Sequence, residues 1–250
     1  MDSTKNFSGL ADTYTTGRPA YAAEFIHSLY TKYGFSPQSV ITDIGAGTGK
    51  FTRQLLDRGS TVYCVEPNDD MRGTAIRELG GYANFRAVGG TAAETTLADG
   101  SVDFVTTAQA FHWFDPEAFR AECRRILKPD GQAFLIWNLR DMADEMNRRC
   151  DALYREYCPA FKGFGGGIER DDPRIGQFFG GAYDGAVFDH PLFYDKETFL
   201  SRSLSGSYSL KAGDARFAEY LAALGALFDE YEENGILTMA NQTVVYYGAL

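Results

Sequence analysis

The stretch that decides the fold is VITDIGAGTGK, which occupies residues 40–50. Its first five residues form a short apolar run that predicts a strand, and its glycines at 45, 47 and 49 predict a tight turn that opens a helix. Glycine lets the backbone approach a ligand where a Cβ would collide. The free N–H groups and the positive dipole end of the following helix favour an anionic or polar ligand beside this turn.

Strands and helices alternate with short spacings from residue 37 to residue 138. The predicted strands are residues 40–44, 61–65, 84–88, 102–107 and 132–137. The predicted helices are residues 21–32, 48–57, 69–79 and 116–127. This alternation indicates right-handed βαβ units and a parallel α/β sheet, whose ligands bind at the carboxyl ends of the strands.

The pattern changes after residue 138. Residues 143–157 and 214–232 are expected to be helical, 186–193 and 243–247 are strand-like, and 161–185 is rich in glycine and aromatic residues and predicts an irregular lid. We therefore predict an N-terminal segment at 1–36 that closes the site and a core at 37–138. The remaining residues, 139–250, are predicted to form a lid insertion and the C-terminal strands of the same sheet.

Composition limits the function classes. The 250 residues include 24 basic and 34 acidic side chains, a net charge of −10, which argues against nucleic acid as a partner. The four cysteines form no CxxC pair and lack zinc spacing, so no metal site is predicted. The first eleven residues are polar, unlike a signal peptide, and no apolar run approaches membrane-spanning length. We expect a cytoplasmic protein without a membrane partner.

The glycine pattern separates two kinds of nucleotide site. A dinucleotide fingerprint, G-x-G-x-x-G, would need glycine at position 50, where Lys50 stands, and the Walker spacing is absent as well. A second feature is Glu66, which directly follows the predicted strand 61–65. An acid at the tip of the strand beside the first one is placed to accept hydrogen bonds from both hydroxyls of a ribose, although a solvent-facing helix cap is the alternative.

These residues resemble the class I S-adenosylmethionine-dependent methyltransferases. DIGAGTG at 43–49 resembles the first motif of that family, VEP at 65–67 the second, and LKPDGQ at 127–132 the turn before its fifth strand. A closer similarity is to the type 11 subgroup with the trans-aconitate methyltransferase-like proteins. It is carried by YTTGRPAY at 14–21, AQAFHWFD at 108–115 and SLSGSY at 203–208.

The resemblance implies a fold, a reaction and a cofactor. The fold is a doubly wound, Rossmann-like, seven-stranded and mostly parallel sheet with helices on both faces and an inserted lid. The reaction is transfer of a methyl group from S-adenosylmethionine, leaving S-adenosylhomocysteine, to a small-molecule acceptor.

The resemblance also implies the cofactor residues. Gly45, Ala46 and Gly47 would lie against the methionine part, Glu66 would hold the ribose, and Pro67 and Met71 would pack near the adenine. Tyr14 and Arg18 would close over the cofactor carboxylate, which a guanidinium fits well. The other residues implied at this site are Asp43, Thr48, Ala108, Gln109 and Ala110.

The adenine edge departs from the family pattern. Residues Thr91, Ala92, Ala93 and Glu94 are expected to flank it, but the subgroup usually has its acid where Ala93 stands. The residue that meets the adenine amino group therefore stays open.

The acceptor is expected beyond the fourth strand, where Phe111, His112 and Trp113 follow one another. Aromatic faces favour a cationic sulfonium, and His112 is either a general base or a structural residue that holds the loop. Arg140, Arg202 and Tyr208 are further candidates for acceptor contact. If the acceptor is a carboxylate, an arginine would orient it and no base would be needed, because a carboxylate is already ionised.

The sequence therefore leaves three function classes open. The first is a methyltransferase for a small molecule, with a carboxylate or hydroxyl as acceptor. The second is a non-catalytic protein that binds S-adenosylmethionine, and the third is an NAD-dependent oxidoreductase, which Lys50 argues against. The protein is expected to be a monomer or a homodimer.

Overall fold

A computed structural model describes residues 19–164, 170, 172–206 and 208–250 of the chain. The strands in this part of the chain are β1 (Val40–Ile44), β2 (Thr61–Val65), β3 (Phe85–Val88), β4 (Val102–Ala108), β5 (Leu127–Arg140), β6 (Asp184–Asp189), β7 (Leu192–Tyr194), β8 (Leu237–Met239) and β9 (Asn241–Gly248). The α-helices are α1 (Ala23–Thr31), α2 (Lys50–Leu56), α3 (Asp69–Leu79), α4 (Pro116–Ile126), α5 (Glu145–Tyr157), α6 (Pro173–Phe179), α7 (Lys196–Leu204) and α8 (Phe217–Tyr231).

Seven strands form one sheet in the order β3-β2-β1-β4-β5-β9-β6. β1 pairs in parallel with β2 on one side and with β4 on the other, so the strand order reverses at β1. Open α/β sheets bind ligands at such a reversal, beyond the carboxyl ends of the strands. The predicted doubly wound α/β class is confirmed, and the Gly-rich turn follows the strand at the reversal.

Helices cover both faces of the sheet because each face of a parallel strand is apolar. On one face, Phe25 of α1 stacks on Phe51 of α2, and both belong to the core cluster that includes Ile41. Elsewhere in the core, Phe119 of α4 and Phe178 of α6 stack with their ring centroids 4.8 Å apart. The packed helices hold the strand tips at fixed positions.

The chain divides into two compact units. Of the described residues, the first unit, here the sheet unit, comprises 19–138, 170, 172–188 and 243–250, and the second unit comprises 139–164, 189–206 and 208–242. The second unit has its own buried aromatic core around Tyr154, Phe199 and Tyr220. It also contains the antiparallel pair of β7 and β8, in which Phe193 lies opposite Thr238.

The predicted elements of the core agree closely with the structure except at β5, which runs from Leu127 to Arg140 and so includes the predicted turn at 127–132. The C-terminal part needs further correction. The strand-like stretch 186–193 is two strands, β6 and β7, in different sheets, because Pro191 lies between them and cannot donate to a ladder. The predicted irregular stretch 161–185 contains helix α6. Helix α7 and strand β8 were not predicted.

No helix in the described part of the chain is long and apolar enough to cross a bilayer. Among the same residues, no cluster of His, Cys, Asp and Glu side chains is arranged to hold a metal ion.

Candidate functional site

The Gly-rich turn is fastened to the tip of the neighbouring strand. The N–H groups of Gly45 and Ala46 both donate to the carbonyl oxygen of Val65, at 2.9 and 3.2 Å. The backbone has φ values of +70° at Gly45, +58° at Gly47 and +82° at Gly49. Other residues rarely adopt this left-handed region, so the turn depends on glycine at these positions.

The three glycines serve different purposes. A Cβ at Gly45 would lie 2.7 Å from Ala110 Cβ, and one at Gly49 would lie 2.5 Å from Leu79 Cδ1, so both positions are closed by packing. A Cβ at Gly47 would meet nothing within 4 Å. Gly47 is therefore the bare point of the turn, where a ligand can approach the backbone.

Glu66 lies beside this bare point. Its side chain is almost buried, with 8% of the residue exposed. One carboxylate oxygen accepts the N–H of Gly47 at 2.9 Å, and the other accepts the N–H of Asn68 at 2.9 Å. Burial raises the pKa of Glu66, and the two backbone N–H groups oppose that rise. A carboxylate has about four acceptor positions, so two remain for the hydroxyls of a sugar.

Asp43 supports the turn from inside the sheet unit. The residue is fully buried, and its carboxylate accepts the hydroxyl of Thr52 at 2.7 Å and that of Thr106 at 3.4 Å. Burial raises the pKa of Asp43 to about 7, against the lowering effect of these hydrogen bonds. Asp43 is predicted to be a cofactor residue. In the structure its hydrogen bonds connect β1 to α2 and β4.

The predicted adenine side is built on α3 and on the loop after β3. Met71 is buried, and its N–H is capped by Asn68 Oδ1 at 3.0 Å. Thr91 and Glu94 close a turn in which the Thr91 N–H donates to the Glu94 carbonyl at 2.9 Å. Ala93 and Glu94 are both exposed. The structure thus brings this loop to the tip of β3, next to β2.

The tip of β4 is also shaped by an unusual backbone conformation. Gln109 has φ of +59°, and its side-chain amide donates to the Asn138 carbonyl at 2.9 Å. Ala110 follows directly and lies beneath Gly45. Half-buried Ala108 completes this segment, so the predicted stretch 108–110 borders the Gly-rich turn.

The three aromatic candidates at residues 111–113 form one short 3-10 helix but differ in exposure. Phe111 is 1% exposed, and its ring packs against Trp137 and Phe178. Trp113 is 49% exposed. The half-buried ring of His112 lies 4.9 Å from the ring of Trp113. Phe111 therefore supports the loop from the core, whereas Trp113 lies at its surface.

The remaining acceptor candidates are together in the second unit. The Arg140 guanidinium lies 4.1 Å from the ring centroid of Phe164. Burial raises the pKa of Tyr208 above its ordinary value. The charges of Arg140 and Arg202 partly oppose this rise. Within the described residues, neither arginine forms an ion pair with a carboxylate.

Tyr14 and Arg18 lie outside the described residues. The chain that follows them is fixed near the site, because the Tyr21 N–H donates to Gln54 Oε1 at 3.1 Å and Asn138 Nδ2 donates to the Ala20 carbonyl at 2.9 Å. Thr243 joins this network through a hydrogen bond to Asn138 Oδ1 at 2.7 Å. Sequence reasoning missed Gln54, Asn138 and Thr243, since contacts between such distant positions leave no local pattern.

The comparisons with known proteins agree with this geometry. Residues 42–135 match the model of a methyltransferase domain. An uncharacterized methyltransferase of Mycobacterium tuberculosis (strain ATCC 25618 / H37Rv) is 39% identical over 140 residues, which are 56% of this chain and 55% of the relative. An uncharacterized methyltransferase-like protein of Schizosaccharomyces pombe is 30% identical over 63% of this chain and 62% of its own length.

The crystal structure of the YcgJ protein from Bacillus subtilis has a similar fold, with a TM-score of 0.58 and 18% identity over 91% of this chain and 98% of that one. The chain spans little more than half the length of the Mycobacterium relative, at 55%. For residues 42–135 the match to a methyltransferase domain agrees with the predicted methyltransferase class.

Proposed function

We propose that the whole chain is an S-adenosylmethionine-dependent methyltransferase that modifies a small molecule, with a carboxylate as the favoured acceptor. The observation that carries the proposal is the contact between Gly47 and Glu66. It joins a backbone bend without side-chain cover to an almost buried carboxylate with free acceptor positions. A nucleoside with an amino-acid tail requires both features, and they lie at the reversal of the strand order.

The residues present fit this cofactor. Glu66 would accept the ribose hydroxyls, Gly47 would allow the amino-acid part to pass close to the backbone, and Met71 and Pro67 would contact the adenine. When bound, S-adenosylmethionine supplies an electrophilic methyl group on a positively charged sulfur. Trp113 and His112 are expected to exclude water from the reacting atoms.

The acceptor class is inferred from the second unit. Arg140 and Arg202 lack carboxylate partners among the described residues, and both act on the Tyr208 hydroxyl. Two guanidiniums beside a phenol suit an anion, since an arginine binds a carboxylate through two parallel hydrogen bonds. A carboxylate acceptor needs no general base, so His112 would not have to remove a proton. Membership of the type 11, trans-aconitate-like subgroup is part of the same proposal.

A binding and turnover experiment tests this function. Isothermal titration with S-adenosylmethionine and with NADH separates the methyltransferase from the oxidoreductase, and binding of NADH alone would overturn the proposal. A metabolite pool incubated with methyl-labelled S-adenosylmethionine should yield a labelled ester. Binding without any labelled product would favour the non-catalytic alternative.

The acceptor class has its own test. Arg140→Gln should raise the KM for the acceptor at least tenfold and leave the affinity for S-adenosylhomocysteine unchanged. Arg149→Gln is the matched control, because Arg149 forms an exposed ion pair with Glu230 and has no assigned role. Equal kinetics of Arg140→Gln and the unmodified protein would contradict an anionic acceptor at this cluster.

A further inference from the structure

The loop after β3 contains a residue in a rare backbone conformation. Thr96 has φ of +66°, which is an outlier for a β-branched side chain. Such conformations persist only where the surroundings determine them, and they are concentrated at ligand sites and switch regions. Thr96 is exposed, so its own side chain does not impose this conformation.

The residues that impose it lie on α4. Glu122 Oε1 accepts both the N–H of Thr95, at 2.7 Å, and its hydroxyl, at 2.5 Å. Arg125 donates to the carbonyl oxygen of Leu97 at 2.7 Å. The two neighbours of Thr96 in the chain are therefore both fastened to one helix.

Glu122 and Arg125 also hold each other. Arg125 donates to both oxygens of the Glu122 carboxylate, at 2.7 and 2.8 Å, and it also reaches Asp99 Oδ1 at 2.6 Å. Glu122 is 7% exposed, and its hydrogen bonds with Arg125, followed by those with Thr95, lower its pKa to about 2. The carboxylate is therefore charged at neutral pH and fully paired, a rigid support for the loop.

The supported loop begins next to Glu66. The Glu66 N–H donates to the Val88 carbonyl at 3.0 Å, at the point where β3 ends. Gly90 then passes under the Thr95 carbonyl so closely that a Cβ at residue 90 would lie 2.8 Å from that oxygen. Residues 91–94 are consequently presented at the edge of the sheet beside the proposed ribose site.

We propose that Glu122 and Arg125 are positioning residues that fix residues 91–97 as the edge which recognises the adenine ring of the cofactor. This inference rests on the proposed function, because it assumes that a nucleoside occupies the tips of β1 and β2. Ala93 supplies no acid, and the direction of any other group of residues 91–97 that meets the base depends on the backbone. The backbone directions are set by Glu122 and Arg125 through Thr95 and Leu97.

The base of the nucleoside provides a specific readout. Adenine presents an amino donor and a ring acceptor along this edge, whereas hypoxanthine presents an acceptor and a donor in the same places. A fixed backbone must discriminate between the two, since a mismatched pair leaves polar groups without partners. A loosened backbone adapts to both bases and loses the discrimination.

The experiment measures the dissociation constants of S-adenosylhomocysteine and S-inosylhomocysteine by isothermal titration. The proteins are the unmodified chain, Glu122→Gln, Arg125→Gln, Arg125→Lys and the control Arg124→Gln, whose exposed side chain is on the same turn of α4. We expect the unmodified chain and Arg124→Gln to prefer adenine by at least tenfold. In Glu122→Gln and Arg125→Gln the adenine affinity should fall about tenfold and the preference should approach one. Arg125→Lys, which keeps the charge, should retain part of the preference for adenine.

Each outcome decides between the possibilities. If a variant binds both ligands more weakly by the same factor, its preference for adenine is unchanged. That result would mean a purely structural role and would overturn the inference. If the unmodified chain binds neither ligand, the proposed function itself fails, which is distinct from failure of the inference alone. Amide exchange provides a second measurement without ligand. Thr95 should exchange faster in Glu122→Gln while the amides of β1 and β4 keep their protection, and an unchanged Thr95 rate would contradict the proposal.

Discussion

A carboxylate oxygen of Glu66 accepts the N–H of Gly47 at 2.9 Å, so the acid at the end of β2 is bonded to the bare point of the turn after β1. The other oxygen accepts the N–H of Asn68 at the start of α3. One side chain thereby fixes the distance between two strand tips and keeps acceptor capacity for a ligand.

Replacing Glu66 should weaken cofactor binding. In Glu66→Ala, two hydrogen bonds from the ribose to a charged acceptor would be lost, which corresponds to about a ten- to hundred-fold loss of affinity. Isothermal titration with S-adenosylhomocysteine measures the change. Glu24→Ala, at an exposed position of α1, is the control and should bind like the unmodified protein. Unaltered affinity in Glu66→Ala would refute the ribose assignment.

Alanine at two glycines of the turn should have different consequences. Gly47→Ala should abolish measurable cofactor binding at a cost of only about 1 kcal/mol in the free energy of unfolding, because its Cβ enters open space in a left-handed backbone. Gly49→Ala should lower the unfolding free energy by roughly 2 kcal/mol or more, since its Cβ would collide with Leu79. Urea unfolding and titration separate the effects. Similar losses of stability in both variants would contradict this division.

Asp43 should make stability depend on pH. The pKa of Asp43 is raised by burial to about 7, whereas an unfolded aspartate has a pKa of about 3.9. Below pH of about 4 the residue is protonated in both states, and above about 7 it is ionised in both. Between these values the folded chain keeps a proton that the unfolded chain releases, so stability falls as pH rises.

Asp43→Asn removes this component. The free energy of unfolding of the variant, minus that of the unmodified protein, should therefore increase from pH 4 to pH 7 and then become constant. Urea unfolding at pH intervals measures the difference. Asparagine keeps an oxygen for the Thr52 hydroxyl, so the comparison isolates the charge. A difference that is constant over this range, or that decreases, would disagree with the raised pKa.

His112 should be dispensable for chemistry. If the acceptor is a carboxylate, His112→Ala should retain kcat within about tenfold, because no proton must be removed. Loss of a general base typically costs about a hundred-fold or more. Steady-state kinetics with the acceptor found in the labelling screen provide the test, with His27→Ala, at an exposed position of α1, as control. A fall beyond a hundred-fold would indicate a hydroxyl or amine acceptor.

Local patterns were sufficient to predict the strands and helices from residue 40 to residue 88. The bounds of β1, β2 and α3 agree with the structure residue for residue, because each combines a short apolar run or a helical face with glycine, proline or an N-cap at its ends. Glu66 was identified for the same reason, since it follows directly on β2.

Some features of the C-terminal part carried signals that were overlooked. Pro191 indicates the break between β6 and β7. Asp172 before Pro173 is an N-cap followed by proline at the first helical position, and Asp195 caps α7 by accepting the Thr198 N–H at 2.8 Å. These caps predict both helices once they are considered.

Other features depend on tertiary contacts and had no local signal. Glu122 and Thr95 are 27 residues apart, and Glu122 is buried because of the way α4 packs. The same is true of the link from Gln109 to Asn138, 29 residues away. The sequence therefore located the strand tips, while their supports required the structure.

The most direct test of the central claim is a crystal structure of the protein with S-adenosylhomocysteine. We predict that both ribose hydroxyls lie within about 3 Å of the Glu66 carboxylate oxygens and that the amino-acid part passes over Gly47. A complex in which the nucleoside binds elsewhere, or in which the Glu66 carboxylate points into solvent away from the sugar, would contradict it.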